Sequence, residues 1–290
     1  MKTLPRVLVA GSTGYLGGYI VKQLLAQRAE FKALARNNTK LLALGLEESQ
    51  IIQAQVTHPD ELADIFEGVD VVISCLGITR QRDGLGYVDV DYQANLNLLK
   101  EAERAGVSKF IYISAYKAQT YPQVRLLNAK ERFARRLLQS TRLTPCVIRP
   151  NGFFSDISEV FNMAQSGRVF TFGRGDNLLN PIHGSDLARF CIDAIERKET
   201  ELAVGGPDVL SVNDIVSLAF EAQGKAIRNT HIPDVWRLLA LGVARRLPER
   251  WVGPAEFFLT MLGQDSVAPV YGEQRLSDYF AQLNQSLTQR

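Results

Sequence analysis

A glycine-rich turn near the start of the chain limits the fold more than any other feature. The apolar run Val7–Ala10 is typical of a buried strand, and a helical pattern of apolar residues follows the turn. In such a strand–turn–helix unit the first glycine permits a tight turn, the second admits a pyrophosphate, and the third lets helix and strand pack closely. A glycine-rich turn without a ligand is the alternative. The predicted dinucleotide-binding residues are Gly11, Ser12, Thr13, Gly14, Tyr15, Leu16 and Gly17.

Strand-like and helix-like segments alternate along the first half of the chain. Further apolar runs, typical of buried strands, lie at 31–36, 50–54, 69–75, 109–114 and 145–149. Helical patterns separate them, at 39–46, 60–67, 87–105 and 124–140. This alternation predicts right-handed crossovers and an α/β fold of the Rossmann type, with a doubly wound parallel sheet.

The alternation ends after Pro150. Residues 151–184 are rich in Gly and Phe, and from about residue 232 onward short loops join helical segments. We expect two domains, 1–150 for the dinucleotide and 151–290 for a substrate or partner. The second is a smaller, mostly helical lobe, partly interleaved with the first and packed on the carboxyl edge of the sheet, where ligands bind in such folds.

Composition excludes several classes of protein. A formal net charge of +2 without a basic run argues against nucleic-acid binding. The chain enters a strand almost at once, which predicts no signal peptide. Three widely spaced cysteines, Cys75, Cys146 and Cys191, indicate a reducing compartment and neither a disulfide framework nor a metal site. These features together predict a cytoplasmic protein.

The ends of the second and fourth predicted strands suggest how a cofactor is held. An acidic residue at the end of the second strand would bind the ribose hydroxyls of NAD, but Arg36 stands there. Arginine can grip a 2′-phosphate, which favours NADP(H) over NAD(H), although a solvated surface arginine is the alternative. After the fourth strand, Cys75, Leu76 and Gly77 would let the backbone pass close to the nicotinamide-side ribose.

The chain resembles the short-chain dehydrogenase/reductase superfamily over its first 150 residues. The resemblance rests on the glycine spacing, on Ser114 at the end of the fifth strand, and on Lys130 in the following helix. It implies that Lys130 binds the nicotinamide ribose and lowers nearby pKa values. The superfamily usually places a catalytic tyrosine four residues before this lysine, but that position is Leu126, and no tyrosine in the chain has a lysine four residues later.

The missing tyrosine makes the chain similar to the atypical branch of that superfamily, which includes divinyl chlorophyllide 8-vinyl reductase-like and isoflavone reductase-like enzymes. The segments that carry this likeness are 149–154, 180–188 and 265–269. We expect cofactor contacts from Pro150, Asn151, Gly152 and Phe153, and substrate contacts from Phe154 and His183. A lone histidine in a loop more often organises that loop, so His183 keeps a structural alternative.

The candidate catalytic residues are Lys130, Ser114 and Tyr116. Each also has a purely structural interpretation. Lys130 would be a lysine on the helix surface, Ser114 a cap at the strand end, and Tyr116 a packing residue. The first functional hypothesis is an NADPH-dependent oxidoreductase that transfers hydride to an activated C=C or C=O of a small apolar substrate. The alternative is a non-catalytic NADP(H)-binding redox sensor or assembly factor. No oligomeric state is indicated.

The segment Val235–Leu247 is apolar and then basic. Such a segment can lie on a membrane surface or cover an apolar substrate. The pattern favours a third role, packing of the second lobe against the first, over either of these two.

Overall fold

The computed structural model describes residues 5–79 and 84–288. The chain forms two units, the first made of Met1–Arg149 with Leu187–Leu202 and the second of Pro150–Asp186 with Ala203–Arg290. The sequence prediction divides the chain once, at residue 150. In the structure the chain returns to the first unit for one further segment.

The helices and strands have the following bounds. The strands are β1 (Val7–Ala10), β2 (Phe31–Ala35), β3 (Ile51–Gln53), β4 (Val71–Ser74), β5 (Lys109–Ile113), β6 (Thr144–Pro150), β7 (Val169–Phe172), β8 (Leu178–Leu179), β9 (Glu201–Val204), β10 (Leu210–Ser211) and β11 (Asn229–Ile232). The α-helices are α1 (Tyr15–Ala26), α2 (Thr39–Ala43), α3 (Asn95–Ala105), α4 (Arg125–Leu138), α5 (Phe154–Gln165), α6 (Gly184–Asp193), α7 (Val212–Glu221), α8 (Asp234–Ala244), α9 (Glu249–Met261) and α10 (Leu276–Thr288).

Seven strands form one sheet in the order β3-β2-β1-β4-β5-β6-β9. Strand β1 lies in the interior of the sheet, third in this order, with Val7 beside Phe31 on one side and Val71 on the other, both in parallel register. All four residues of β1 are buried, as expected when helices cover both faces of a parallel sheet. The structure confirms the predicted α/β fold with a doubly wound parallel sheet.

One face of the sheet is packed by α3 and α4. Phe133 of α4 meets the rings of Phe110 and Tyr112 on β5, with centroid distances of 6.0 and 4.6 Å. Leu98 of α3 is also fully buried in this core. The same packing fixes the position of Lys130, which lies one turn before Phe133 in α4.

Buried polar contacts fasten the returning segment, 187–202, to the first unit. Lys109 at the start of β5 donates from Nζ to the carbonyls of Ala194 and Ile195, at 2.6 and 3.1 Å. A buried Arg149 on β6 donates to Glu201 at 2.7 Å. Burial lowers the pKa of Lys109. The ammonium group of Lys109 meets the carbonyls that follow α6 and complements the negative end of that helix. This contact ties the segment to the first unit.

Three helix predictions need correction. The helix expected at 60–67 is wrong, because only a 3₁₀ turn forms at Pro59–Leu62 and Asp64 takes a positive φ of 62°. The helix expected at 39–46 ends earlier, before Gly45 with a φ of 89°. The helix expected at 87–105 begins as a π-helical segment, Val88–Ala94, and becomes α-helical only in α3.

The second unit has a hydrophobic core of its own. Helices α5, α7 and α10 pack together through Phe161, Phe220 and Phe280, all fully buried. Two small sheets accompany them, an antiparallel pair of β8 with β10 and a parallel pair of β7 with β11. Within the described ranges, no helix has the length and apolar character needed to cross a membrane.

Two adjacent glycines of α1 give a test of the packing between helix and strand. A Cβ atom on Gly17 would overlap the carbonyl oxygen of Gly11, whereas one on Gly18 would meet nothing within 4 Å. We expect Gly17→Ala to lower the free energy of unfolding by about 1–3 kcal/mol through overpacking. Gly18→Ala, the matched control, should raise it by up to about 1 kcal/mol through helix propensity. Urea denaturation measures both, and equal effects of the two substitutions would contradict this packing.

Candidate active site

The predicted glycine turn brings three backbone segments together. Gly11 has a φ of 76°, and a Cβ there would lie 2.9 Å from the carbonyl group of Cys75, which follows β4. The amide of Gly14 donates to the carbonyl of Gly11 at 3.0 Å, which closes the turn. Glycine is therefore required at position 11 both by the backbone conformation and by the close approach of a neighbouring strand end.

Helix α1 begins at this turn in a form suited to an anion. Its N-cap is Gly14, which has no side chain to cap the helix, and its first turn carries no acidic residue. The amide groups and the positive end of the helix dipole therefore face the turn without a competing carboxylate. A phosphate group fits such a helix start, so the chain meets the structural requirement of a dinucleotide.

A pocket opens at the carboxyl ends of the first four strands. It contains seven of the residues predicted to bind the cofactor: Gly11, Thr13, Gly14, Arg36, Cys75, Leu76 and Gly77. The remaining residues of the turn have structural positions. Ser12 is buried and donates from Oγ to the carbonyl of Leu34 at 2.8 Å, while Leu16 is buried and Tyr15 packs edge-on against Tyr19.

Arg36 lies directly after β2 and is exposed at the rim of this pocket. The next residues, 37–39, are Asn, Asn and Thr, so the strand end offers no carboxylate to a ribose. The arrangement allows a guanidinium to meet a phosphate at the position where the sequence predicts it. It leaves the choice between the two nicotinamide cofactors as a prediction.

A buried ion pair lies beside the pocket. Nζ of Lys130 on α4 is 2.9 Å from Oδ1 of Asp91, whose side chain is wholly buried. Gly77 separates this pair from the pocket, since a Cβ there would lie 2.6 Å from the carboxylate and 2.8 Å from the amine. The structure thus places Lys130 next to a strand-end glycine of the predicted cofactor site, and it requires glycine at that position.

Two further buried polar groups belong to the same side of β5. The hydroxyl groups of Tyr112 and Ser114 are both inaccessible to solvent. The Tyr112 hydroxyl adjoins Lys130, whereas Ser114 Oγ has no hydrogen-bond partner among the described residues. Nζ of Lys130 lies 5.6 Å from the centre of the Tyr112 ring. Buried polar groups are normally satisfied, so the hydroxyl of Ser114 is a candidate contact for a bound molecule.

The sequence analysis missed Asp91, which the structure makes the main partner of Lys130. Asp91 lies in the π-helical segment, accepts from the amide of Ile78 at 3.2 Å, and is followed one turn later by the buried Asn95. Asn95 in turn accepts from Oγ of Ser74 at 2.5 Å. The sequence signal that could have revealed Asp91 is its spacing of four positions from Asn95, which places two polar residues on an otherwise apolar helix face.

The environment sets the charge state of this cluster. Burial disfavours the ammonium ion of Lys130, but the adjoining Tyr112 and Asp91 outweigh it and hold the pKa of Lys130 above its usual range. Burial raises the pKa of the Tyr112 hydroxyl, so it stays a neutral phenol. Burial also raises the pKa of Cys75 to about 12, which removes this thiol from the candidate nucleophiles.

The other predicted catalytic positions are in different surroundings. Leu126, where the superfamily usually has its tyrosine, is 4% exposed and packs into the core. Tyr116 is half-buried, and Nζ of Lys117 lies 5.7 Å from the centre of its ring. The catalytic role of Tyr116 stays a prediction.

The predicted segment 150–153 belongs to the second unit. The Asn151 amide donates to Oδ1 of Asn180 at 2.6 Å, and its oxygen accepts from Oγ of Ser266 at 2.7 Å. Pro150 ends β6, Gly152 has a φ of 69°, and Phe153 bridges to Ile182. These bonds organise the segment internally, and its cofactor contacts stay predictions.

The two predicted substrate residues lie together with an aromatic neighbour. Phe154 is buried, and its ring lies 5.6 Å from His183 and 5.5 Å from Tyr279. Nδ1 of His183 faces Oγ of Ser185 at 2.7 Å. Burial lowers the pKa of His183, which favours the neutral imidazole. This packing accounts for both residues structurally, and their contact with a substrate stays a prediction.

Comparison with known proteins gives relatives of two kinds. The chain is 28% identical over 322 aligned residues to the divinyl chlorophyllide a 8-vinyl-reductase of Arabidopsis thaliana, covering 96% of this chain and 76% of that one. It is 27% identical to the photosystem II assembly factor Ycf39 of a Synechocystis strain, covering 79% and 71%. The first confirms the likeness to the divinyl reductase group. The second relative is named as an assembly factor and not as a reductase.

Solved structures share the fold. The NADPH-dependent quinone oxidoreductase QOR2 of Escherichia coli, in complex with NADPH, matches with a TM-score of 0.71 at 18% identity, covering 96% of this chain and 99% of that one. The UDP-glucose 4-epimerase of Thermus thermophilus, in complex with NAD, matches with a TM-score of 0.65 at 18% identity, covering 89% and 98%.

A family model described as NAD(P)H-binding matches residues 11–198, which include the glycine turn, Arg36 and Lys130. The family match, the parallel sheet and the helix start shaped for a phosphate agree with one another. The chain belongs to the NAD(P)H-binding family.

Proposed function

We propose that this protein is an NADPH-dependent reductase that acts on an activated C=C or C=O of a small, mostly apolar molecule. The observation that carries the proposal is the buried Lys130–Asp91 pair, separated from the cofactor pocket only by the backbone of Gly77. Burying an ion pair costs desolvation energy, and a merely structural lysine would gain more from reaching solvent. A charged group kept at such a place is typical of a functional site.

NADPH, when bound, supplies the hydride. The amide groups at the start of α1 would hold its pyrophosphate, and Arg36 would hold its 2′-phosphate at the rim of the pocket. Leu76 and Gly77 allow the backbone to lie against the nicotinamide-side ribose. These assignments use only residues that line one pocket of the first unit.

Lys130 acts on the charge that develops during reduction. Its raised pKa keeps it an ammonium at and above neutral pH, so it is a weak proton donor and a strong source of positive potential. Asp91 positions Nζ, and the ammonium orients the ribose. Ser114 Oγ has no hydrogen-bond partner among the described residues, so it could align the water that would give one proton to the reduced substrate.

A second candidate is a non-catalytic NADP(H)-binding protein that senses redox state or assists assembly. The missing family tyrosine and a broad exposed apolar face on α8 support it. The relative named as a photosystem II assembly factor supports it as well. The two candidates share the cofactor site and differ in whether NADPH is consumed.

We also propose a cytoplasmic or similarly reducing location. Cys75, Cys146 and Cys191 are all free thiols in the structure. Two of them are buried in the core, and burial raises the pKa of each of the three.

Cofactor preference provides one test. Arg36→Ala should weaken NADPH binding by about 1.5–3 kcal/mol, the worth of a hydrogen bond to a charged group, and leave NADH binding nearly unchanged. Lys32→Ala, which removes an exposed positive charge near the other end of β2, should change neither affinity. Fluorescence titration of both cofactors measures this. Equal affinity of the unaltered protein for NADPH and NADH would refute the assignment.

Turnover separates the two candidate functions. Stopped-flow absorbance should show oxidation of bound NADPH by at least one member of a panel of enones, quinones and vinyl-bearing compounds. Lys130→Met should abolish it while cofactor affinity falls only modestly, since the charge matters most as the anion develops. Lys100→Met, on an exposed position of α3, is the control. Oxidation that survives Lys130→Met unchanged would refute the role of Lys130, and a panel that never oxidises NADPH favours the sensor.

The ion pair gives a third test, which needs no substrate. Lys130→Met leaves a buried carboxylate without its cation and should cost roughly 3–5 kcal/mol of unfolding free energy. Adding Asp91→Asn should restore most of that loss, because a neutral amide no longer needs the cation. Urea unfolding of both single variants and the double variant measures the coupling. Strictly additive effects would mean that Lys130 and Asp91 do not stabilise each other.

A further inference from the structure

Helix α8 has an inverted distribution of polarity. Five of its apolar side chains are more than half exposed: Val235, Trp236, Leu238, Leu239 and Val243. Its one basic residue, Arg237, is buried on the opposite face together with Leu241 and Ala244. A surface helix normally turns its apolar stripe inward and its charges outward. The expected packing of the second lobe against the first stays a prediction, and the buried side of α8 is the narrow face of Arg237.

The buried polar face explains why α8 has this orientation. Arg237 donates to both carboxylate oxygens of Asp234, at 2.6 and 2.9 Å, and to the carbonyl of Leu259 on α9 at 2.7 Å. Glu256 of α9 is also buried, 1% exposed. The bond to Leu259 joins the two helices, and the burial of Arg237 turns the apolar side of α8 outward. The exposure of the apolar side chains of α8 therefore follows from the way α8 packs on α9.

The exposed face continues beyond α8 and acquires positive charge. Leu247 and Trp251 are exposed, and Trp251 at 66% is the more accessible of the two tryptophans. Arg245, Arg246 and Arg250 are exposed beside them. The guanidinium of Arg250 lies 5.2 Å from the centre of the Trp251 ring. Against these three cations the stretch 235–251 carries one acidic residue, Glu249.

We propose that this surface, the α8–α9 face, docks on an anionic phospholipid bilayer. Apolar side chains and tryptophans would enter the boundary between headgroups and acyl chains, and the three arginines would meet the lipid phosphates. The described helices are too short or too polar to cross a membrane, which is consistent with a surface-lying contact. A second copy of the chain fits less well, because a two-fold interface would bring like charges together with few carboxylates to balance them. The proposal holds for either candidate function.

Vesicle flotation with the full chain tests the proposal. The protein should float with vesicles of phosphatidylcholine mixed with phosphatidylglycerol and stay behind with pure phosphatidylcholine, and high salt should weaken the binding. The double variant Trp236→Ser, Leu239→Ser should lose binding about ten-fold or more, and so should Arg245→Glu, Arg246→Glu. All four side chains are exposed, so the fold should tolerate both variants, which circular dichroism verifies.

Matched substitutions in the first unit are the controls. Leu42→Ser removes an exposed apolar side chain, and Arg28→Glu with Lys198→Glu reverses two exposed charges. Both should bind vesicles like the unaltered protein. The proposal is overturned if the unaltered protein ignores anionic vesicles or if the controls lose binding equally. It is also overturned if light scattering shows a dimer that Trp236→Ser dissolves, since the face would then be covered by a second copy.

Discussion

The first unit depends on the close approach of three backbone segments at Gly11. The carbonyl of this residue accepts from the Gly14 amide and faces Gly17 of α1, and its Cα lies beside the strand end at Cys75. Side chains at these positions would push helix and strands apart by distances that a close-packed interior does not tolerate. The same approach places the start of α1 at the edge of the pocket. The packing of α1 on the sheet and the anion-binding start of that helix thus both follow from the close approach of backbone at Gly11.

The Lys130–Asp91 pair is the second organising feature, and its position matters more than its contribution to stability. A buried ion pair seldom stabilises a fold more than a well-packed apolar pair would. This one is supported by the amide of Ile78 and by Asn95 behind it, so the chain devotes a π-helical segment to holding it. π-Helical segments are frequent at functional sites, which agrees with the proposed role of Lys130 beside the cofactor pocket.

Sequence reasoning succeeded where a local pattern had one physical solution. The glycine spacing and the alternation of apolar runs were sufficient for the doubly wound parallel sheet and for the turn at Gly11. Reasoning failed where a distant contact decides. The partner of Lys130 lies 39 positions away, and only tertiary packing brings Asp91 to it. The expected helix at 60–67 failed for the opposite reason, because Asp64 takes a positive φ that no apolar periodicity reveals.

The most direct test of the central claim is a crystal structure with NADPH bound. The account predicts the pyrophosphate at the start of α1, the 2′-phosphate within reach of Arg36, and Nζ of Lys130 at hydrogen-bond distance, about 2.7–3.2 Å, from a hydroxyl of the nicotinamide-side ribose. It also predicts that Asp91 still contacts Lys130 in that complex. A cofactor bound elsewhere, or a ribose that Lys130 does not contact, would contradict it.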